Sequence, residues 1–424
     1  MQNRVTVVGG GASGLAAAIA AGRGGAQVSI IERGHSLGRK ILASGGGRCN
    51  LTNSRILPER YHCGRPDFVR AALSRFKARE AAGFFSELGL LTWAEPDGRV
   101  FPRCGRAQAV LDVLKAELGR LPVKVLLGTE AAAVRRARDG FLIRTAAAPA
   151  PWKKPSAPAA PRSDAELRCD RVILACGGAS YPKLGAGLAA YGLAKSLGHT
   201  MTELFPALVP LCVKESSLKR LHGLRLKAAV KVFCGEREVS RSQGEVLFTD
   251  YGLSGPAVLD VSREAVRGLG RGPVQGALDL FPEFAPQGLR AMLAGRWAAM
   301  AHRPLEDFFL GMFPSQLSGA LSDTLAWDAH RSLDSLGRDA PERLAARLRD
   351  WRFEITGARS WGEAMVTAGG VSVDEVDPGT FQSRKVPGLY LAGEMLDVDG
   401  DSGGYNLHFA WASGLAAGRA CAAA

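Results

Sequence analysis

Near the N-terminus the apolar positions come in short unbroken runs. Val5-Thr6-Val7-Val8 ends in glycines, and Gln27-Val28-Ser29-Ile30-Ile31-Glu32 repeats the form. Runs of this kind belong to strands buried on both faces. Between them, residues 13–23 carry helix formers and stop at Gly24-Gly25. The spacing predicts one strand–helix–strand unit, whose parallel pairing needs the crossover. Residues 34–53 are polar and glycine-rich. Amphipathic patterns predict helix over 65–90 and 107–121. Residues 123–127, 131–136 and 141–145 read as short strands, and 171–176 as a buried one.

Beyond Gly177-Gly178 the pattern changes. Residues 208–213, 224–234 and 245–248 are β-like, separated by Gly, Pro and Asp turns, which predicts an inserted β domain. Helical patterns fill 286–351, broken at Pro304, Pro314 and Pro341, and Phe353-Glu354-Ile355 reads as a strand returning to the β domain. The Pro/Ala-rich stretch 146–162 has little to bury and reads as a mobile excursion on a hairpin, with no functional role assigned. There is no internal repeat of fixed period.

The first chemistry lies in Gly9-x-Gly11-x-x-Gly14, which follows a strand and opens a helix. Gly9 permits the tight turn, Gly11 lets the backbone approach a diphosphate, and Gly14 lets helix and strand pack closely. The helix start offers free N–H groups to phosphates. Glu32 ends the second strand, eighteen residues past Gly14, where a carboxylate accepts from both ribose hydroxyls and disfavours a 2′-phosphate. That unit serves FAD and NAD alike. Two further segments decide for FAD. Val172-Ile-Leu-Ala175-Cys-Gly177-Gly178 is similar to the strand that closes the FAD-binding meander of two-dinucleotide flavoproteins. Gly388-Leu-Tyr-Leu-Ala-Gly393-Glu394 is similar to their late strand, which meets the phosphate–ribityl chain. Signals at both ends of the chain imply that the middle is an insertion.

Ser44-Gly-Gly46-Gly47-Arg-Cys-Asn50-Leu-Thr-Asn53, Gly177-Gly-Ala-Ser-Tyr-Pro182, Phe248-Thr-Asp-Tyr-Gly-Leu-Ser-Gly-Pro256 and Gly403-Gly404-Tyr-Asn406 together resemble one bacterial family. It is that of the NAD(P)/FAD-dependent oxidoreductases called aminoacetone-oxidase-like, related to flavoproteins of bile-acid dehydroxylation. The resemblance runs from Val5 to about residue 417. It implies an α/β fold with a discontinuous Rossmann-like FAD domain, an inserted β-barrel-like domain and a small helical domain. The corresponding ranges are 1–200 and 363–424 for the FAD domain, 201–285 and 351–362 for the β domain, and 286–350 for the helices. It also implies FAD contacts at Ser13, Glu32, Arg39, Lys40, Gly393, Asn406 and Leu407. Ala131, by position, should offer backbone contacts to the adenine.

Other candidates follow from placement. Gly46 and Gly47 allow close backbone approach to the ribityl and pyrophosphate, and Asn50 and Arg48 could hydrogen-bond the flavin or a substrate anion. Among Asp397, Asp399 and Asp401, Asp397 is placed at the ribityl hydroxyls in preference to a metal. Arg33, Ala175, Gly177, Glu394 and Gly404 complete the candidate cofactor set. Cys49 reads as either a flavin-proximal thiol or a small buried side chain. His408 reads as either a proton relay or a packed histidine. The 249–256 turn either shapes a substrate cavity or domain interface or serves geometry alone. The helix over 408–417 could aim its N-terminus at the flavin. No catalytic acid or base and no metal ligand is assigned.

Composition changes little. Lys and Arg number 54 against 41 Asp and Glu, a net charge of +13. The basic residues are dispersed apart from Arg135, Arg136 and Arg138, so attraction of anionic cofactors and substrates suffices and nucleic acid is disfavoured as a partner. Eight scattered cysteines lack Cys-x-x-Cys or zinc spacing. No apolar run is long enough for a membrane helix, and a cytoplasmic location is expected. A second complete dinucleotide fingerprint is absent: Gly185-Ala-Gly187 is followed only by Gly192. The expectation is an FAD-dependent oxidoreductase passing hydride through flavin N5 to a small organic substrate in a cleft between FAD and inserted domains, with NAD(P)H as transient donor. Amine oxidation, a flavin-dependent RNA-modifying or RNA-binding protein, and a flavin-binding sensor stand as alternatives.

Overall fold

A computed structural model describes residues 3–148 and 165–423. Most of the proline-rich excursion at 146–162 lies outside the described residues. The chain divides into two compact units, one made of residues up to 206 together with those from 365 onward, the other of 207–364.

The first unit is built on five parallel strands in the order Leu389–Leu391, Arg171–Leu174, Arg4–Val8, Gln27–Glu32, Val123–Leu127. Val7 pairs with Ile30 on one side and Ile173 on the other, and all three are fully buried. This burial accounts for the unbroken apolar runs. Ala12–Arg23 packs its helix against the C-terminal helix Tyr405–Ala423. A Cβ on Gly414 would stand 2.2 Å from the Ser13 carbonyl oxygen, and one on Gly418 2.3 Å from that of Ala17. The two backbones therefore touch, and only glycine permits it. A three-stranded antiparallel sheet (Thr129–Ala137, Gly140–Ala147, Ala165–Cys169) leads into Arg171–Leu174.

The helical pattern over 65–90 resolves into two helices, Pro66–Ser74 and Ala78–Glu87. Glu80 starts the second by accepting from the Lys77 N–H at 3.0 Å. The break leaves the Phe76 carbonyl free for His408, whose Nε2 lies 2.9 Å away.

The second unit holds a closed six-stranded antiparallel barrel. Its order is Leu211–Val213, Gly252–Ser254, Arg237–Phe248, Arg225–Cys234, Val274–Asp279 and Trp351–Ala358, which returns to Leu211–Val213. Two of its elements break the expected pattern. Val274–Asp279 carries Gly276, over which the Phe353 ring packs so closely that a Cβ would meet it at 2.2 Å. The 249–256 segment is more than a turn: it contributes Gly252–Ser254 to the barrel and then opens the helix Pro256–Leu269. Gly255 sits at φ +91°, where a side chain would be strained and a Cβ would strike the Glu245 carbonyl.

Prolines stand at the starts of the helices Pro286–Ala299, Leu305–Phe309, Ser315–Leu325 and Ala340–Arg349, as a ring that fixes φ and lacks N–H favours. Leu289, Trp297, Phe308, Leu317 and Leu344 share one core with Val230, Val232, Phe248 and Trp351 of the barrel.

Candidate cofactor site

The glycines of the first unit sort by what a methyl group would meet. On Gly9, at φ +109°, it would lie 2.3 Å from the Ala175 carbonyl oxygen, and on Gly14 1.9 Å from that of Gly9. On Gly393 it would lie 2.4 Å from Ser13 Oγ, and on Gly404 2.5 Å from the Thr52 carbonyl oxygen. These glycines let protein approach protein. Gly46, Gly47 and Gly177 face open space but have positive φ. Gly11 has neither reason: φ is −81° and nothing lies within 4 Å of the added carbon. Its missing side chain is explained by something that is not part of the chain, as a passing diphosphate would be. The residues present therefore fit an FAD diphosphate at this turn.

The first turn is held from several directions. Gly9 N–H donates to Ile31 O at 2.8 Å, Gly38 N–H to Gly10 O at 2.9 Å, and Ala175 N–H to Val8 O at 2.8 Å. Glu32 uses both carboxylate oxygens on the backbone, accepting from Gly10 N–H at 2.7 Å and Gly34 N–H at 2.5 Å. Each oxygen keeps a second lone pair for a ribose hydroxyl. Ala131 lies on the neighbouring antiparallel sheet beside a register shift, and Gly128 N–H ties the start of its strand to Gly34 O at 2.9 Å. Arg33 faces Glu130 at 3.6 Å, and Arg39 donates to the Lys183 carbonyl at 3.0 Å.

Lys40 and Glu394 meet each other. Lys40 Nζ donates to Glu394 Oε2 at 2.6 Å and to Ser180 Oγ at 2.5 Å. Glu394 Oε1 accepts from Ser180 Oγ and from Thr367 N–H, both at 2.9 Å. Thr367 Oγ1 in turn accepts from the Ala179 and Ser180 amides. Ser180 and Thr367 are fully buried. Sequence reasoning missed both. Ser180 lies in the Gly177–Pro182 motif, which was a usable signal, whereas Thr367 offers none.

On the C-terminal side, Gly393 N–H donates to Ser413 Oγ at 2.9 Å, and Asn53 Nδ2 to Gly403 O at 3.0 Å. Asn406 turns its amide onto its own loop, accepting from Gly400 N–H and donating to Gly400 O at 2.7 Å. Leu407 is half-buried against the core. Asn50 lies beside Gly404, and its Oδ1 is buried without a hydrogen-bond partner. Arg48 is committed to Glu95 at 2.9 Å and to the Phe101 ring, 4.1 Å from its centroid. Asp397 is buried, Asp399 lies in a strand paired with His62, and Asp401 binds Arg60 at 3.1 Å and His62 at 2.9 Å.

Two open alternatives narrow. The helix starts at Tyr405, so His408 lies within its first turn and is fully buried. Its Nε2 must donate to the Phe76 carbonyl, leaving Nδ1 to accept from Thr52 Oγ1 at 2.8 Å. Burial pushes its pKa down to about 4, so it stays neutral and acts in packing, not as a relay. Cys49 is buried, at φ +60°, and burial pushes its thiol up to about 12. It is a small buried side chain and no thiolate nucleophile.

A parallel sheet with this glycine turn and an inserted antiparallel barrel defines the class of flavoprotein oxidoreductases. Residues 3–420 match the family described as HI0933-like protein Rossmann domain. The chain is 38% identical over 424 residues to the 3-dehydro-bile acid delta(4,6)-reductase of Clostridium scindens, covering 99% of both chains. It is 31% identical over 411 residues to the ribosomal RNA dihydrouridine synthase of Escherichia coli, covering 97% of this chain and 96% of that one. Among solved structures, the 3-ketosteroid delta1-dehydrogenase of Sterolibacterium denitrificans covers the whole of both chains at 14% identity with a TM-score of 0.51, a likeness of fold alone. The chain belongs to the HI0933-like family of FAD-binding flavoproteins and is an FAD-dependent oxidoreductase.

Proposed function

We propose that this chain reduces an activated carbon–carbon double bond in a ring of a small organic substrate, with NAD(P)H as a transiently docked donor. The observation that carries the cofactor part is Gly11, a glycine with ordinary φ facing empty space at the head of a helix. The Gly9–Gly14 turn and the helix start would hold the FAD diphosphate, Glu32 a ribose, and the 44–50 and 403–407 segments the ribityl and ring. When bound, FAD supplies a ring that takes hydride from a nicotinamide and delivers it through N5 to an electron-poor carbon. The Lys40–Glu394–Ser180 cluster orients the segments around that position, and buried His408 and Cys49 contribute no proton at neutral pH.

The relatives support the type of bond: a delta(4,6)-reductase and a dihydrouridine synthase both add hydrogen across a ring double bond conjugated to a carbonyl. They differ in what carries the ring. A free small molecule is the first reading, and a base within RNA is the second, favoured by the exposed Arg135, Arg144 and Arg168 on one face of the antiparallel sheet. Anaerobic titration of the flavin absorbance tests the reductase assignment. Bleaching by NADH or NADPH and recovery on adding a 4-ene-3-one steroid or uridine are expected. Bleaching by amines alone would reassign the enzyme as an amine oxidase, and no bleaching by either would remove the redox role.

A further inference from the structure

The small antiparallel sheet is paired so that Arg135, Leu142 and Arg168 stand in one row, with Ala133, Arg144 and Glu166 in the next. Directly opposed residues share a face, and neighbouring strands lie about 4.8 Å apart, so the stems of Arg135, Arg144 and Arg168 rise from a patch roughly 10 Å across. The other face is the buried one, carrying Val134, Phe141 and Ile143 at 2% exposure or less. All three arginines are exposed, and none has an ion-pair partner among the described residues. Arg138 stands in the adjoining turn, also exposed, whereas Arg136 opposes Phe141 and belongs to the other face. Beside these four stand Glu166, opposite Arg144, Asp139 in the turn, and Glu130, opposite Ala146 and already 3.6 Å from Arg33.

Three arginines held without ion pairs on one rigid sheet face repel one another, and a polyanion relieves that repulsion. Their forked guanidinium groups match phosphate oxygens. The patch is a sheet face, suited to an extended chain, and among the described residues it has no exposed aromatic or long aliphatic side chain to enter a lipid surface. We propose that this face docks single-stranded RNA through its phosphates, while a base elsewhere on the same RNA reaches the reductase. The proposal deepens the second reading of the function and rests on it.

The test uses flavin-loaded full-length protein and a short fluorescein-labelled single-stranded RNA, followed by anisotropy across a salt series. The wild type should bind, and in the triple variant Arg135→Ser, Arg144→Ser, Arg168→Ser the slope of log affinity against log salt should fall by about 2, at about 0.7 for each phosphate that is no longer neutralised. FAD content, thermal midpoint and NAD(P)H bleaching, measured on the same samples, should match wild type. The surface assignment is overturned if a well-folded, flavin-loaded triple variant keeps the wild-type affinity and slope, or if the wild type ignores RNA at low salt. Arginine-dependent binding to phosphatidylserine vesicles in place of RNA would overturn it as well. Failure of bleaching in every sample strikes the reductase reading instead, so the two failures are distinguishable.

Discussion

Gly11 and Gly14 lie three residues apart, yet a methyl on each is expected to do different damage. On Gly14 it strikes the Gly9 carbonyl oxygen at 1.9 Å, and overpacking of this kind costs roughly 1–3 kcal/mol or more. Gly14→Ala should therefore lower the urea midpoint with or without FAD. On Gly11 the methyl meets no protein atom, so Gly11→Ala should leave the flavin-free midpoint where it is and weaken FAD binding by about tenfold or more, roughly 1.4 kcal/mol. Equal loss of flavin-free stability in both variants would show that Gly11 serves the fold. His408 makes a prediction about pH. Its pKa is about 4 in the folded chain against an ordinary 6.5, so between those values the unfolded chain takes up a proton that the folded chain refuses. Stability then falls as pH drops through that window, with about 2 kcal/mol lost from this residue by pH 5. Urea unfolding at pH 7.5 and pH 5 should show that loss in wild type and a smaller one in His408→Gln. An undiminished loss in the variant would mean that other groups carry it.

The strands of the parallel sheet and the glycine turn were legible because both obey local rules: burial on two faces makes unbroken apolar runs, and a diphosphate turn needs glycines at set offsets. The helix Pro256–Leu269 and the strand Val274–Asp279 were not. The first is obscured, although Ala257, Val258, Val261 and Ala265 recur at helical spacing on one buried face behind Gly255-Pro256, because the β-like segments around it set the reading of that region. The second has its apolar rhythm cut by Gly276, whose space Phe353 fills from a distant strand. Side-chain partnerships were the least legible, because Lys40 and Glu394 are 354 residues apart and sequence spacing carries no record of such a meeting. That pair joins the helix Arg39–Ala43 to the late segment after Leu389–Leu391. Lys40→Met leaves the half-buried Glu394 without its cation beside buried Ser180, which loosens the contact between the two segments. The variant should release FAD faster on dilution, while Lys40→Arg should restore part of the retention. Identical release rates in all three proteins would remove the clasp from the account of cofactor binding.

Every candidate cofactor residue, from Gly9 to Leu407, belongs to the discontinuous unit, and the barrel with its helices has a core of its own. The inserted segment also begins and ends at neighbouring points: Leu211 pairs with Ala358, and Arg359 N–H donates to Pro210 O at 2.9 Å. A chain that leaves and returns at one place can be cut there with little loop-closure cost, since closure entropy grows only slowly with length. Two outcomes follow. Residues 207–364 produced alone should unfold cooperatively in urea and come out colourless. Residues 1–206 joined to 365–424 by a short glycine–serine linker should fold and bind added FAD, giving a yellow protein whose retention still depends on Gly11. If the joined chain is folded by circular dichroism yet takes up no FAD, the cofactor depends on the insertion, and the assignment of its site to the 9–14, 44–50 and 393–407 segments alone is wrong.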